Sequence, residues 1–262
     1  MGILNVSPDS FYDGGKYINE DTWIKQTEKM LTEGAVIIDI GAFSSRPGAK
    51  AITFDQEKKV LIPAVKVLTK RYSDVIFSVD TYRSEIAKLC YENGAGIIND
   101  ISGGNFDSKM FETMAQLGIP YVLMHMHGSP EDMQRIPISE NITQTVKSFF
   151  ETKVKELNDL GAKQIILDPG YGFGKSLECN FQLLKEQKNL KFNNLPLLAG
   201  LSRKSMINKI LNTKPEEALN GTSIVNLLAL QNGANLLRVH DVKEATQTIK
   251  LFQYFDKVKN SQ

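Results

Sequence analysis

Residues Val75 to Gly103 read VIFSVDTYRSEIAKLCYENGAGIINDISG. An apolar run, Val75–Asp80, lacks strict alternation and ends on a carboxylate. A stretch of helical periodicity, Ser84–Asn93, closes at Gly94, a residue that accepts the left-handed turn stopping a helix. A second apolar run, Gly96–Asn99, ends on an amide. Runs of this kind suit strands buried on both faces of a parallel sheet, and a strand, a helix and a strand in that order form one crossover unit.

The same rhythm extends in both directions. Strand candidates are Gly2–Val6, Val36–Ile40, Val75–Asp80, Gly96–Asn99, Tyr121–Met124, Gln164–Asp168, Leu195–Ala199 and Asn235–Val239. Helix candidates are Thr22–Glu33, Asp55–Arg71, Ser84–Asn93, Ser108–Leu117, Asn141–Leu160, Leu177–Asn189, Arg203–Leu211, Pro215–Gln231 and Val242–Lys257. Eight strands alternating with helices predict an α/β protein, a (β/α)8 barrel. An open doubly wound sheet is the alternative that the alternation permits. A length of 262 residues and the count of eight favour the barrel. No Pro/Gly-rich boundary, low-complexity linker or short repeat divides the chain, so residues 1–262 read as one domain.

Composition narrows the function classes. Thirty-one basic against 30 acidic residues give a net charge of +1, so there is no global attraction to nucleic acid or anionic membrane. No apolar run reaches the roughly 18 to 20 residues of a membrane helix, and the N-terminus lacks the pattern of a signal peptide. Two cysteines, Cys90 and Cys179, support neither a disulfide framework nor a multi-cysteine zinc site. These features point to a cytoplasmic protein.

The strand ends are unusually polar. They carry Asn5, Asp39, Asp80, Asn99-Asp100, His125, Asp168-Pro169-Gly170, Gly200 before Ser202-Arg203-Lys204, and Arg238-Val239-His240-Asp241. Taken singly, Asp39, Asp100 and Asp241 read as strand terminators or caps. Together the ends read as a ring converging on the C-terminal mouth of a barrel, where active sites form. Asp80, Asn99, Asp168 and Lys204 supply the donors and acceptors that suit a flat nitrogen heterocycle. Asn5, Arg46, Arg238 and His240 suit a phosphate or diphosphate. Three histidines without metal-ligand spacing argue against zinc. Mg²⁺, which takes oxygen ligands and is often held by phosphate and water, fits better, with Asn5 as one oxygen donor. The glycine-containing loops Ser7–Lys16 and Ala42–Ala51 are placed to act as lids or clamps.

These residues resemble the dihydropteroate synthases, the folate-pathway family that sulfonamides inhibit. The matching segments are MGILNVSPDSFYDGG (Met1–Gly15), IDIGAFSSRPG (Ile38–Gly48), FSVDTYR (Phe77–Arg83), IINDISGG (Ile97–Gly104), VLMHMHGSPEDMQ (Val122–Gln134), ILDPGYGFGK (Ile166–Lys175), GLSRKSMI (Gly200–Ile207) and LRVHDV (Leu237–Val242). They span nearly the whole chain in the family's order. Ser7 stands where the family more often has Thr, Ala42-Phe43 replaces Gly-Glu or Gly-Val, and His127 stands where Gln is common.

The resemblance implies a homodimeric (β/α)8 barrel that condenses 7,8-dihydropterin-6-ylmethyl diphosphate with para-aminobenzoate. It implies a pterin set of Asp80, Asn99, Asp168 and Lys204, with Ile101 and Met124 lining the ring and Arg238 stacking on it. Asn5, Arg238 and His240, with Ser44 and Arg46, would take the diphosphate, Asn5 also binding Mg²⁺. Phe11, Arg46, Pro47, Phe173, Lys204 and Ser205 would form the para-aminobenzoate pocket, Ser205 near a helix N-terminus that favours a carboxylate. Asp80, Lys204, Arg238, His240 and Asp13 carry the catalytic expectations, with Asp13 on a mobile loop assisting the cation or taking a proton. Helix candidates Pro215–Gln231 and Val242–Lys257 would supply the dimer interface. Because Met1 falls directly on the first strand motif, an incomplete first strand is expected, with a chain extended upstream melting higher. Two other readings keep a pterin site: a non-catalytic paralogue, and a methyltetrahydrofolate–corrinoid methyltransferase, which would leave the anion-binding segments unexplained.

Overall fold

The computed structural model of the chain describes residues 1–6, 16–42, 52–129, 132–133 and 135–259. Its strands are β1 (Gly2–Asn5), β2 (Ile37–Gly41), β3 (Ile76–Asp80), β4 (Ile97–Asp100), β5 (Tyr121–Met124), β6 (Ile165–Asp168), β7 (Leu198–Ala199) and β8 (Leu236–Leu237). Its helices are α1 (Lys16–Thr32), α2 (Phe54–Arg71), α3 (Ser84–Glu92), α4 (Met110–Leu117), α5 (Ile142–Leu160), α6 (Leu177–Glu186), α7 (Ser205–Leu211), α8 (Leu219–Gln231) and α9 (Val242–Lys259).

β1 to β6 pair in order, all parallel, and β7 pairs with β8. Single bridges complete the ring. Leu167 meets Leu197 between β6 and β7, and Gly2 meets Val239 between β8 and β1. The Ile3 N–H donates to the Val239 carbonyl and the Val239 N–H to that of Met1, each at 3.0 Å. β1 is thus hydrogen-bonded on both sides, and the eight strands form the closed barrel, not the open sheet. The parallel register sets the strand ends level: Asp80 lies opposite Asn99, and Met124 opposite Asp168.

Two apolar layers hold the barrel. The larger lies between strands and helices, where Ile38, Ile40, Val79, Ile98, Leu123 and Leu167 pack outward against residues such as Leu61, Leu68, Ile86, Val146 and Leu183. The smaller fills the interior at the N-terminal end with Ile97, Val122, Ile166 and Leu198, flanked by Ile37 and Leu236. Helix ends follow local chemistry. α2 opens with a capping box in which the Thr53 hydroxyl accepts the Gln56 N–H and the Gln56 side chain accepts the Thr53 N–H. α5 stops at Gly161 in the left-handed conformation (φ 102°).

Several helix boundaries differ from expectation; α4 begins at Met110 rather than Ser108, and Leu177–Asn189 divides into α6 and a 3-10 turn, Gln187–Leu190. α1 begins six residues before Thr22, at Lys16. Pro215–Gln231 is broken into a 3-10 turn, Pro215–Glu217, and α8. α7 starts at Ser205 rather than Arg203, since Arg203 takes the left-handed conformation (φ 56°).

Candidate active site

Side chains alternate across a strand, so the residues two steps beyond the apolar interior layer also point inward. Ile37 is followed by Asp39, Ile97 by Asn99, Val122 by Met124, Ile166 by Asp168, Leu198 by Gly200 and Leu236 by Arg238. Above them opens a cavity of about 250 Å³. Of the residues singled out in the sequence, Asn5, Asn99, Ile101, Met124 and Asp168 line it from β1, β4, β5 and β6. Phe173, Lys204, Ser205, Arg238 and His240 line it from the loops and ends that follow β6, β7 and β8.

Arg238 is the electrostatic centre. Its Nε donates to Asp39 Oδ2 at 2.6 Å and its Nη2 to Asp80 Oδ2 at 2.9 Å. Asp39, fully buried, also accepts from the Ser78 hydroxyl and, at 3.0 Å, from the Asn99 amide. A buried charge persists only when paired and hydrogen-bonded, and this network meets both conditions. Asp80 joins the site through its pair with Arg238. Burial pushes its carboxyl up, Arg238 pulls it back, and the negative charge of Asp39 pushes it further up. Asp39 is the site residue that sequence reading most clearly missed: it is no terminator but the partner that orients Arg238.

Asp168 and Lys204 form the second polar cluster. Burial raises the Asp168 carboxyl, opposed by the Lys204 ammonium and by the Gly170 N–H, which donates to Oδ1 at 2.8 Å. Burial lowers Lys204 to about 8, opposed by Asp168. The Lys204 ammonium donates to the Tyr171 carbonyl and lies 4.7 Å from the centre of the Phe173 ring, a cation–π contact. Gly200 keeps the floor open: a Cβ there would sit 3.9 Å from Lys204 Nζ and 4.0 Å from both Asp168 Oδ2 and Arg238 Cβ. Gly170 is required by conformation and space, with φ +66° and only 2.0 Å between an added Cβ and the His125 carbonyl oxygen. Lys175, also missed, braces this loop from beneath. Its buried ammonium donates to the carbonyls of Gly170 (2.7 Å), Phe173 (3.1 Å) and His125 (3.2 Å).

The loops after β7 and β8 are joined by two adjacent contacts. Ser202 Oγ lies 3.0 Å from His240 Nδ1, and Arg203 makes a bidentate pair with Asp241, 2.9 Å at Nε. The Arg203 N–H also donates to the Thr222 hydroxyl, which holds the left-handed residue in place. Asp241 thus serves a loop-joining ion pair.

His125 does not belong to the ring at the mouth. It follows inward-facing Met124, so it points outward, buried and edge-on to Phe149 at 5.1 Å. Burial lowers it to about 2. Asp100 likewise faces outward and does act as a terminator, accepting from the Ser102 and Gly104 N–H groups and from the Tyr121 hydroxyl. Phe11, Asp13, Ser44, Arg46 and Pro47, together with most of the two lid loops, lie outside the described residues.

Among the described residues no group of three or more His, Cys, Asp or Glu side chains could cage a metal ion. Exposed Asn5 lines the cavity, and its side chain has one amide oxygen to offer. That donor set fits Mg²⁺ carried largely by a phosphate ligand and water, not a metal held by protein alone. Among the described residues, no helix is long and apolar enough to cross a membrane.

Residues 1–240 match the model of the family described as pterin binding enzyme. The chain is 39% identical over 255 residues to the dihydropteroate synthase of Escherichia coli (strain K12), covering 97% of this chain and 90% of that protein. It superposes with a TM-score of 0.91 and 38% identity on the Yersinia pestis dihydropteroate synthase in complex with a sulfonamide drug, over 98% of this chain and 94% of that one. With the Xanthomonas albilineans enzyme bound to 4-aminobenzoic acid the TM-score is 0.89 and the identity 35%, over 100% and 93%. The closed barrel, its polar mouth and these full-length similarities agree: the chain belongs to the pterin-binding enzymes and, among them, to the dihydropteroate synthases of folate biosynthesis.

Proposed function

We propose that this synthase joins 7,8-dihydropterin-6-ylmethyl diphosphate to para-aminobenzoate, giving 7,8-dihydropteroate and diphosphate. The carrying observation is that one cavity sets Asn99, Asp168 and Lys204, a heterocycle-reading set, directly beside Arg238 and His240, an anion-binding pair. Asp168 accepts from the N–H edge of the pterin, Lys204 donates to its acceptors, Asn99 does both, and Ile101 and Met124 cover the ring. The face of the Arg238 guanidinium stacks on the heterocycle, while Asp39 and Asp80 hold it in place. Asn5 and His240, with Ser44 and Arg46, receive the diphosphate. Phe173, Lys204 and Ser205, with Phe11, Arg46 and Pro47, enclose para-aminobenzoate, which also accounts for sulfonamides as inhibitors.

The methylene C–O bond breaks with its electron pair leaving on the diphosphate. The positive charge left on the methylene spreads into the electron-rich dihydropterin. The neutral arylamine nitrogen then bonds to the methylene and loses a proton, for which Asp13 is the candidate acceptor. Arg238 and His240 stabilise the charge on the departing group, an electrostatic role that needs no protein nucleophile. Asn5, together with the diphosphate, would hold Mg²⁺, which would supply further neutralisation of that charge.

A homodimer in the cytoplasm belongs to the same reading. α8 and α9 expose Ile224, Leu227, Leu251, Tyr254 and Phe255, an apolar surface of the kind that subunit contacts bury.

The test is diphosphate release with Mg²⁺, with and without para-aminobenzoate, for the natural chain and Asp168→Asn. Release should require para-aminobenzoate, and kcat/KM should fall by roughly thirtyfold or more in the variant. Release indifferent to para-aminobenzoate, or unaffected by the substitution, would overturn the proposal.

A further inference from the structure

We infer that Lys175 is a positioning residue: its ammonium is the cation on which the loop after β6 is wound, and through that loop it sets Phe173 in the wall of the arylamine pocket. The inference rests on the para-aminobenzoate role proposed for Phe173.

Lys175 is 3% exposed, in the loop that joins β6 to α6. A lysine is almost never buried to that degree without a partner. Here the partners are three carbonyl oxygens, those of Gly170 at 2.7 Å, Phe173 at 3.1 Å and His125 at 3.2 Å. Among the described residues none of its hydrogen bonds goes to a carboxylate. An ammonium has three N–H groups and no lone pair, so three acceptors match it in number. A neutral amine has two N–H groups and would turn its lone pair toward the third oxygen. Burial and the charge of Lys204 lower Lys175 to about 7, and Asp168 opposes them. Hydrogen bonds that only the charged form can complete also favour that form.

The neighbouring contacts show which residue depends on this cation. Asn180 holds the middle and the far end of the loop: its Oδ1 accepts the Gly172 N–H at 2.6 Å, and its Nδ2 donates to the carbonyls of Lys175 at 3.1 Å and Ser176 at 2.7 Å. The Ile138 N–H donates to the Gly174 carbonyl at 3.0 Å. Lys175 holds the residues on either side of Gly172 and, through His125, ties them to the chain leaving β5. The two segments are in close contact there, since a Cβ on Gly174 would lie 2.2 Å from the His127 carbonyl oxygen. Phe173 is carried by this winding: it lines the cavity, with its ring centre 4.7 Å from Lys204 Nζ. Asp168 is held differently. It pairs with Met124 in the sheet, and its carbonyl accepts the His125 N–H at 3.0 Å. Loss of the Lys175 ammonium should therefore loosen Phe173 far more than Asp168, and the arylamine pocket far more than the pterin site.

The experiment separates the charge of Lys175 from its bulk. Lys175→Met keeps the length without the N–H groups. Lys175→Ala leaves room for n-propylammonium, which replaces the missing cation, or for n-propanol, which replaces its bulk with one donor. The readouts are amide hydrogen exchange over residues 170–174, KM for para-aminobenzoate, and calorimetric affinity for a pterin lacking the diphosphate. All are taken on the ammonium side of the Lys175 value. Lys175→Met should speed exchange in the loop and raise KM for para-aminobenzoate about tenfold or more, the loss of one or more hydrogen bonds, while pterin affinity stays within about threefold. Lys175→Ala should behave alike, and n-propylammonium should restore both exchange and KM where n-propanol does not.

A folded Lys175→Met chain with natural exchange overturns the inference. Restoration of Lys175→Ala by both additives or by neither does the same, as does a pterin affinity that falls as far as KM rises. If neither variant folds even with n-propylammonium, Lys175 is a requirement of the fold rather than of the pocket, and the inference is likewise overturned. Phe173→Leu separates it from the reading beneath. A natural KM for para-aminobenzoate in that variant, beside amine-reversible exchange in Lys175→Ala, supports the hold of Lys175 on the loop and counts against the arylamine role of Phe173.

Discussion

The barrel interior has two ends built from the same strands, and two residues along each strand reverse the chemistry. At the N-terminal end Ile37, Ile97, Ile166, Leu198 and Leu236 pack against one another. One inward step further, Asp39, Asn99, Asp168, Gly200 and Arg238 replace them. The lower layer removes apolar surface from water and stabilises the closed ring. The upper layer places carboxylates and cations in nearly the same degree of burial, where each charge must be compensated by another. The division teaches that the two ends should fail differently: stability alone at the bottom, stability together with chemistry at the top.

The largest effect is expected for Arg238→Ala. Removing the guanidinium leaves Asp39 and Asp80 close together without their cation, and breaking a buried pair in this way costs roughly 3–5 kcal/mol. Diphosphate release should be lost as well. The pH dependence identifies the cause. Burial already raises Asp80 and Arg238 opposes the rise, so without Arg238 it rises further. A folded chain that keeps a proton the unfolded chain has released becomes less stable as pH increases. Asp80 stands at about 7 with Arg238 present, so the stability lost in the variant relative to the natural chain should grow as pH climbs above about 7, as read by denaturant midpoints. A loss independent of pH would mean that lost packing, not uncompensated charge, distinguishes the upper layer.

Leu198→Ala tests the other end. Leu198 is fully buried, and truncating such a residue costs about 2–5 kcal/mol through lost transfer energy and the cavity left behind. KM for both substrates should be unchanged in the folded fraction. A raised KM for the dihydropterin diphosphate would show that the lower layer shapes the site through Gly200, two residues on, and the division between the ends would not hold.

Much of this layout is legible in the sequence. The ends of the apolar runs locate the mouth, so Asn5, Asn99, Asp168, Lys204, Arg238 and His240 can be found without coordinates. Other features depend on contacts that no local pattern records. Asp39 meets Arg238 across 199 positions of chain, and nothing near Asp39 announces a partner. The left-handed Arg203 carries no glycine or asparagine signal; the Thr222 contact and the Asp241 ion pair hold it. The brace formed by Lys175 depends on three carbonyls that its own motif brings round only after folding. His125 shows a different failure. Polarity at a strand end does not state which way the residue points, whereas parity does. Val122 and Met124 face inward, so a residue one step on faces out.

That parity argument supplies the smallest and most selective prediction. His125 lies level with the catalytic mouth but behind the barrel wall, against Phe149. Its Nδ1 has no hydrogen-bond partner among the described residues. Burial, aided by the charge of Lys175, lowers it to about 2. A histidine whose folded pKa is depressed takes up its proton only on unfolding, so acid favours the unfolded chain. The stability it withdraws is nil well above the ordinary histidine pKa and grows as pH falls from about 6.5 toward 2. One pH unit below that ordinary value the loss is about 1.4 kcal/mol. His125→Leu, of similar size and without a proton to gain, should match the natural chain in kcat/KM. It should be more stable than the natural chain at pH 5.5 by about that amount relative to their difference at pH 8. Loss of activity with the fold intact would instead place His125 in communication with the cavity, and the wall between the two faces of β5 would no longer separate structure from chemistry.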